Sequence, residues 1–269
     1  MNTAQYHKAD QKLHYLSQIL AKVNRSFIEK KEDDSHTNLA YDPWNQRILG
    51  RTIQKNDDQY RLNLNLVDLS FEMLDQTQNS LWLVGSAGKS IQEVEEQVDH
   101  GIKDLGLAQE DWRAPMHYEI PDYGLGKHPI EPLSEVERTH WTYYRALANY
   151  SCLNLQKSLA TQLEIRIWPH HFDTATLIKI NEKLSIGYGL AMKDEMVGEA
   201  YFYLSGYPEG FNFNYANFKQ GEDWQWKSSE WKGAILPIDL LADEYQAALK
   251  SIGDFCLKAS DQYFLNLNK

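Results

Sequence analysis

The stretch TATLIKI-NEK-LSIGYGLAM, residues 174–192, decides the fold. Two runs of apolar and β-branched residues, 174–180 and 184–192, flank the short turn Asn181-Glu182-Lys183. Strands joined this tightly pair antiparallel, because a parallel partner needs a long crossover. Working outward, residues 163–168, 199–205, 211–218 and 231–236 also read as strands. Lys193-Asp194-Glu195 and Tyr207-Pro208-Glu209-Gly210 supply turns between them. Upstream, residues 60–71 alternate Leu62, Leu64 and Leu66 with Asn63 and Asn65, the period of a strand with one buried and one polar face. Residues 80–85 form a short apolar strand, and 39–53, punctuated by Pro43 and Gly50, predict a ragged hairpin.

Four helices bracket these strands. Ala9, Leu13, Leu16, Leu20, Val23 and Phe27 recur at spacings of three and four, one stripe of a first helix that ends in the charged run 29–34. Ser90 with Glu93 is a capping box opening a second, whose stripe is Ile91, Val94, Val98, Ile102 and Leu105. Ser134 with Glu137 opens a third that runs to about Ala160 with Tyr144, Leu147, Ala148, Leu155 and Leu159 inward. Asp239 is expected to cap a fourth, which carries Leu241, Tyr245, Ala248, Leu249, Ile252, Phe255, Cys256, Ala259 and Tyr263 on one face.

The fold class is therefore α+β, antiparallel sheets covered by long helices. Each half, 1–105 and 134–269, reads helix–strands–helix. Residues 106–133, with Pro115, Pro121, Pro129, Pro132, Gly124 and Gly126, cannot hold a long helix and are expected to connect the halves. Residues 117–120 would add a strand there.

The 269 residues include 27 Lys plus Arg against 38 Asp plus Glu, a net charge of −11. So acidic a surface is a poor match for a phosphate backbone, which disfavours general nucleic-acid binding. No apolar run approaches the ~18 residues needed to span a bilayer, and residues 1–10 lack the apolar core of a signal peptide. The two cysteines, Cys152 and Cys256, form no disulfide framework and sit on helix faces. A soluble, reducing, cytoplasmic setting is expected.

Several familiar motifs fail. Gly85-Ser86-Ala87-Gly88-Lys89-Ser90 suggests a phosphate-binding loop, but Leu83 stands where the pattern needs its first glycine. Val84 breaks the G-x-S-x-G elbow in the same way. Gly124-x-Gly126 and Gly187-x-Gly189 each lack a third glycine, and H-E-x-x-H does not occur.

The most informative segment is Trp168-Pro169-His170-His171-Phe172-Asp173, following a strand that carries Glu164 and Arg166 on one face. Pro169 cannot donate to a ladder, which places the segment at a strand end. An extended backbone would aim His171 and Asp173 to one side, Trp168 and His170 to the other. Three readings compete. His170, His171, Asp173 and Glu199, with His117 as a further donor, would hold a divalent metal ion and activate water for hydrolysis. Without a cofactor, Asp173 would orient His171 as a general base while Arg166 or His170 grips an anion. In the third, the histidines hydrogen-bond a tight connection and Trp168 packs inward.

WPHHFD, with the later Ile186–Met192 glycine segment and Glu199-Ala200-Tyr201-Phe202-Tyr203, resembles a bacterial family of uncharacterised proteins, the DUF5996 type. The resemblance covers roughly residues 163–208. It implies that the box and the Glu199 strand belong together, and it assigns no reaction. The resulting expectation is a small-molecule pocket with His171 and Asp173 as catalytic candidates. Arg166, Trp168, His170, Glu199 and Tyr201 are its binding candidates. A third class of function, a protein-interaction module, would use Trp224, Trp226 and Trp231, whose neighbours Glu222, Asp223 and Glu230 are acidic. Oligomeric state is left open.

Overall fold

The computed structural model describes residues 2–107, 109, 111–229 and 231–267, and the fold is α+β with two antiparallel sheets. Two compact units divide the chain. One comprises Asn2–Thr142 with Arg166–Phe172, the other Tyr143–Ile165 with Asp173–Lys269. We call them the N- and C-terminal units. Glu230, one of the acidic neighbours named above, lies outside the described residues.

The N-terminal unit begins with α1 (Thr3–Phe27), whose expected stripe from Ala9 to Val23 is buried. Strands β1 (Ala40–Asp42), β2 (Arg47–Leu49), β3 (Ile53–Lys55), β4 (Asp58–Asn65), β5 (Ser70–Asp75) and β6 (Ser80–Gly85) follow. They pair in the order β1-β2-β4-β5-β6, with β3 also on β4. The single strand expected over 60–71 is two. Asn65 and Asp68 turn the chain by accepting the Val67 and Ser70 N–H groups, and Leu69 takes φ 54. Asn63, assigned to the polar face, is fully buried beside the Arg47–Glu72 ion pair of 2.9 Å.

Next comes α2 (Ile91–Asp104), opened by the full Ser90/Glu93 capping box. Segment 106–133 lies within this unit and packs there through Trp112, Ile130 and Leu133. It holds turns and a 3₁₀ turn at Leu125–Lys127; residues 117–120 form no strand. Helix α3 (Glu135–Ser158) starts in this unit and continues in the other. Strand β7 is only Arg166–Trp168; Leu163–Ile165 stay outside it. Within the unit, Ile167 exchanges backbone hydrogen bonds of 2.8 and 2.9 Å with Leu39.

In the C-terminal unit, β8 (Asp173–Asn181) and β9 (Leu184–Ala191) form the hairpin expected at 181–183. They continue into β10 (Tyr201–Pro208), β11 (Gln225–Lys227) and β12 (Gly233–Pro237), in the order β11-β12-β10-β9-β8. Leu147, Cys152 and Leu155 of α3 are buried, and the Cys152 thiol lies 3.6 Å from the Tyr188 carbonyl of β9. Helix α4 (Tyr245–Asn266) seats Tyr263 over Gly206, where any Cβ would collide with the ring.

Two expectations fail here. Asp239 sits in a separate 3₁₀ turn, and Glu244 caps α4 by accepting the Gln246 and Ala247 N–H groups. Residues 211–218 form a compact aromatic turn instead of a strand. Phe213 and Phe218 are buried against Trp226 and Tyr263, so side-chain packing replaces a ladder.

Candidate ligand pocket and the WPHHFD turn

The WPHHFD backbone closes into a turn instead of running on extended. The Trp168 carbonyl accepts the N–H of His171 (3.2 Å) and of Phe172 (2.6 Å). Proline at the first bend supplies the fixed φ such a turn uses. Phe172 takes φ 54, a left-handed conformation that an aromatic residue adopts only at a cost. Its ring is wholly buried, stacked on His14 of α1 at 5.1 Å and 13°. The strain of about 1–3 kcal/mol is comparable to what burying such a ring contributes. The Pro169 carbonyl accepts from His14 Nε2 at 2.9 Å and from Gln18 Nε2 at 2.8 Å, residues one helical turn apart.

Four of the expected residues stay together on this turn. The His170 and His171 rings are 4.3 Å apart; His170 also meets Trp168 at 6.2 Å and Tyr118 at 5.6 Å. The Arg166 guanidinium lies 5.9 Å over Trp168. His117 Nε2 is 3.2 Å from Asp34 Oδ2. Burial, and then the neighbouring imidazoles of His171 and His117, pull the His170 pKa down to about 4, against the pull of Asp34. His170 is therefore neutral at pH 7. Among the described residues, no group of three or more His, Cys, Asp or Glu side chains is placed to hold a metal ion.

The other three expected residues belong to the C-terminal unit. Asp173 heads β8, buried, and Tyr203 of β10 donates to its Oδ2 at 2.5 Å. Burial and then the Asp173 charge push the Tyr203 pKa well up. Tyr201 donates to Asp194 at 2.7 Å, and Asp194 also accepts the Val197 N–H, so this pair fixes the 194–200 loop. Glu199 accepts the N–H of Ala200. Burial first, then Tyr143, Glu199 and Asp239, raise the Tyr144 pKa to about 12. Of the three tryptophans, Trp226 is buried, Trp224 packs on Phe255 at 5.6 Å, and Trp231 meets Tyr203 edge-on at 6.2 Å.

A cleft of about 390 Å³ lies within the N-terminal unit, between α1 and the 123–131 loop. Helix α1 contributes Lys12, Tyr15 and Leu16, and the loop Tyr123, Leu125, Pro129 and Ile130, with His128 and Glu131 at the exposed rim. Local chemistry shapes the loop. Asp122 accepts the Gly124 N–H at 2.7 Å and Gly124 takes φ 72. A Cβ on Gly126 would come within 2.9 Å of the Tyr15 hydroxyl, so glycine lets the loop approach the helix. At the loop's far end, Ile130 exchanges backbone hydrogen bonds of 2.8 Å with Gly88 and Lys89. The failed phosphate motif is thus the clasp that holds this wall.

One wall of the cleft connects to the WPHHFD turn. Tyr123 Oη is 2.8 Å from His14 Nδ1, and His14 Nε2 is 2.9 Å from the Pro169 carbonyl. A carbonyl only accepts, so in the neutral imidazole Nε2 carries the proton, Nδ1 accepts, and Tyr123 donates. Burial, and secondarily Asp10, pushes the Tyr123 pKa far above its usual value. The sequence reading missed this site because its residues, Lys12 to Leu16 and 123–131, are over a hundred positions apart. The signal that was available is Tyr123-Gly124-Leu125-Gly126, two glycines around one apolar residue beside a tyrosine.

No protein-family model matches the chain, and neither do curated proteins or solved structures.

Proposed function

We propose that this chain binds a small organic molecule in the cleft between α1 and the 123–131 loop. The observation that carries this reading is the hydrogen-bonded chain Tyr123–His14–Pro169, which ties a wall of the cleft to the WPHHFD turn. The volume of about 390 Å³ lies within the range of small-molecule sites, and apolar walls with a few fixed polar groups are their common make-up.

Binding is favoured over catalysis by the Tyr123–His14 pair. Burial raises the tyrosine's pKa, so passing its proton to an imidazole would be steeply uphill. The hydrolytic metal reading draws no support from a described three-ligand group. For the interaction reading, Trp224, Trp226 and Trp231 are engaged with neighbouring rings. Buried free thiols at Cys152 and Cys256 suit a reducing, cytoplasmic setting.

A ligand-observed NMR screen with a small-fragment library tests the reading. Hits should be lost in Leu125→Trp, which fills the cleft from its loop wall and leaves the buried stripe of α1 untouched. Hits that bind that variant as well as the wild type lie elsewhere and end the proposal, as does a screen without hits.

A further inference from the structure

Resting on that cleft, we propose that its ligand is a small monocarboxylate with an apolar body, held by the ammonium of Lys12. Besides the tyrosines Tyr15 and Tyr123, three charged or titratable side chains line the cleft, and they differ in how firmly they are placed. His128 and Glu131 are exposed at the rim. Lys12 is half-buried, with Nζ donating to the Pro132 carbonyl at 3.1 Å. That bond uses one of three ammonium protons, so the group is positioned and retains donors. A cation held on the Pro132 carbonyl, in a lining it shares with Leu16, Leu125 and Ile130, offers a single negative charge a partner.

Size and charge narrow the class further. At about 30 Å³ per non-hydrogen atom, the share of a liquid water, the cleft holds a ligand of about a dozen such atoms. One ammonium balances one carboxylate. A dianion would leave uncompensated charge against apolar walls, with Glu131 at the rim and a chain of net charge −11 opposing it. An amine would face Lys12 with like charge.

Titration calorimetry at pH 7 on the whole chain tests this with 3-phenylpropanoate, 3-phenylpropan-1-ol, 3-phenylpropylamine and phenylsuccinate. The propanoate is expected to bind about tenfold or more tighter than the alcohol, the scale of one charge-assisted hydrogen bond, and tighter than the amine or the dianion. Lys12→Met should bring acid and alcohol to about equal affinity while the alcohol is unaffected, and Lys12→Arg should keep the preference. Equal or tighter binding of the alcohol or amine overturns the proposal, as does an acid preference that survives Lys12→Met. If none of the four binds while fragments still bind the cleft and are lost in Leu125→Trp, the ligand class falls and the cleft stands. If no fragment depends on Leu125 either, both fall.

Discussion

His14 Nε2 donates to the carbonyl of Pro169 across 2.9 Å, and this single contact fixes the tautomer of a buried imidazole. Nitrogen-15 spectra of the folded chain should show His14 protonated at Nε2 and bare at Nδ1. Replacing the donor on the other side, Tyr123→Phe, leaves Nδ1 without that hydrogen bond and is expected to cost about 1–2 kcal/mol in urea unfolding. His14→Leu keeps an apolar body against Phe172 but strips one donor from the Pro169 carbonyl. Gln18 still donates to that carbonyl, so the loss should also stay near 1–2 kcal/mol. An Nδ1-protonated His14 would sink the argument that Tyr123 is the donor.

Phe172 is the second test of how the WPHHFD turn is held. Its φ of 54 favours glycine, while its ring is buried on His14 and 6.3 Å from Trp141. Phe172→Ala loses the ring without relieving the backbone and should cost about 3–5 kcal/mol. Phe172→Gly gains back about 1 kcal/mol of strain, so it should be the milder of the two despite removing more atoms. A glycine variant less stable than the alanine variant would show that the positive φ carries no cost.

Histidine 170 makes stability depend on pH. Its folded pKa of about 4 lies below the unfolded value, so between the two the folded chain binds fewer protons. The contribution is complete above about pH 6.5, shrinks as pH falls toward about 4, and is flat below. His170→Gln removes the titrating group. Urea midpoints at pH 7 and pH 4.5 should differ less for the variant than for the wild type. The ring is half-exposed and solvent screens part of the penalty, so the difference will be modest. Identical pH dependence in both chains would assign the effect to other groups.

The stripe of α1 was legible because apolar residues at spacings of three and four have one physical meaning. Its second stripe was not. Asp10, His14, Ser17 and Asn24 are just as buried, yet polar residues on a helix read as a solvated face. The partners lie outside the helix: Trp141 Nε1 donates to Asp10 at 2.8 Å, and Asn24 reaches the carbonyls of Thr37 and Asn38. Periodicity carries no record of such partners. The hairpin at 181–183 and both capping boxes were legible because each is a local interaction. The extended reading of WPHHFD failed for the opposite reason. Proline excludes a ladder bond but permits a tight turn, and only the burial of Phe172 on His14 selects between them. The cleft was invisible because its loop wall is held by backbone contacts of Ile130 with Gly88 and Lys89 and approaches α1 at Gly126, whose need is set by Tyr15.

In the C-terminal unit, Tyr203 and Asp173 join β10 to β8 through a 2.5 Å hydrogen bond to a buried carboxylate, passing over the intervening β9. Charge-assisted bonds of this kind are stronger than neutral ones, and removing either partner leaves the other less well satisfied. Tyr203→Phe should therefore destabilise the fold by about 1.5–3 kcal/mol. The double-mutant cycle with Asp173→Ala isolates the pair, because alanine removes the acceptor that asparagine would keep. A coupling of about 1–2 kcal/mol is expected. Burial and Asp173 both raise the Tyr203 pKa, so its phenol should not ionise in an alkaline absorbance titration until the chain unfolds. A coupling near zero, or early ionisation of Tyr203, would mean that the carboxylate draws its stability from elsewhere, and Asp173 would then be the stronger candidate for a chemical role.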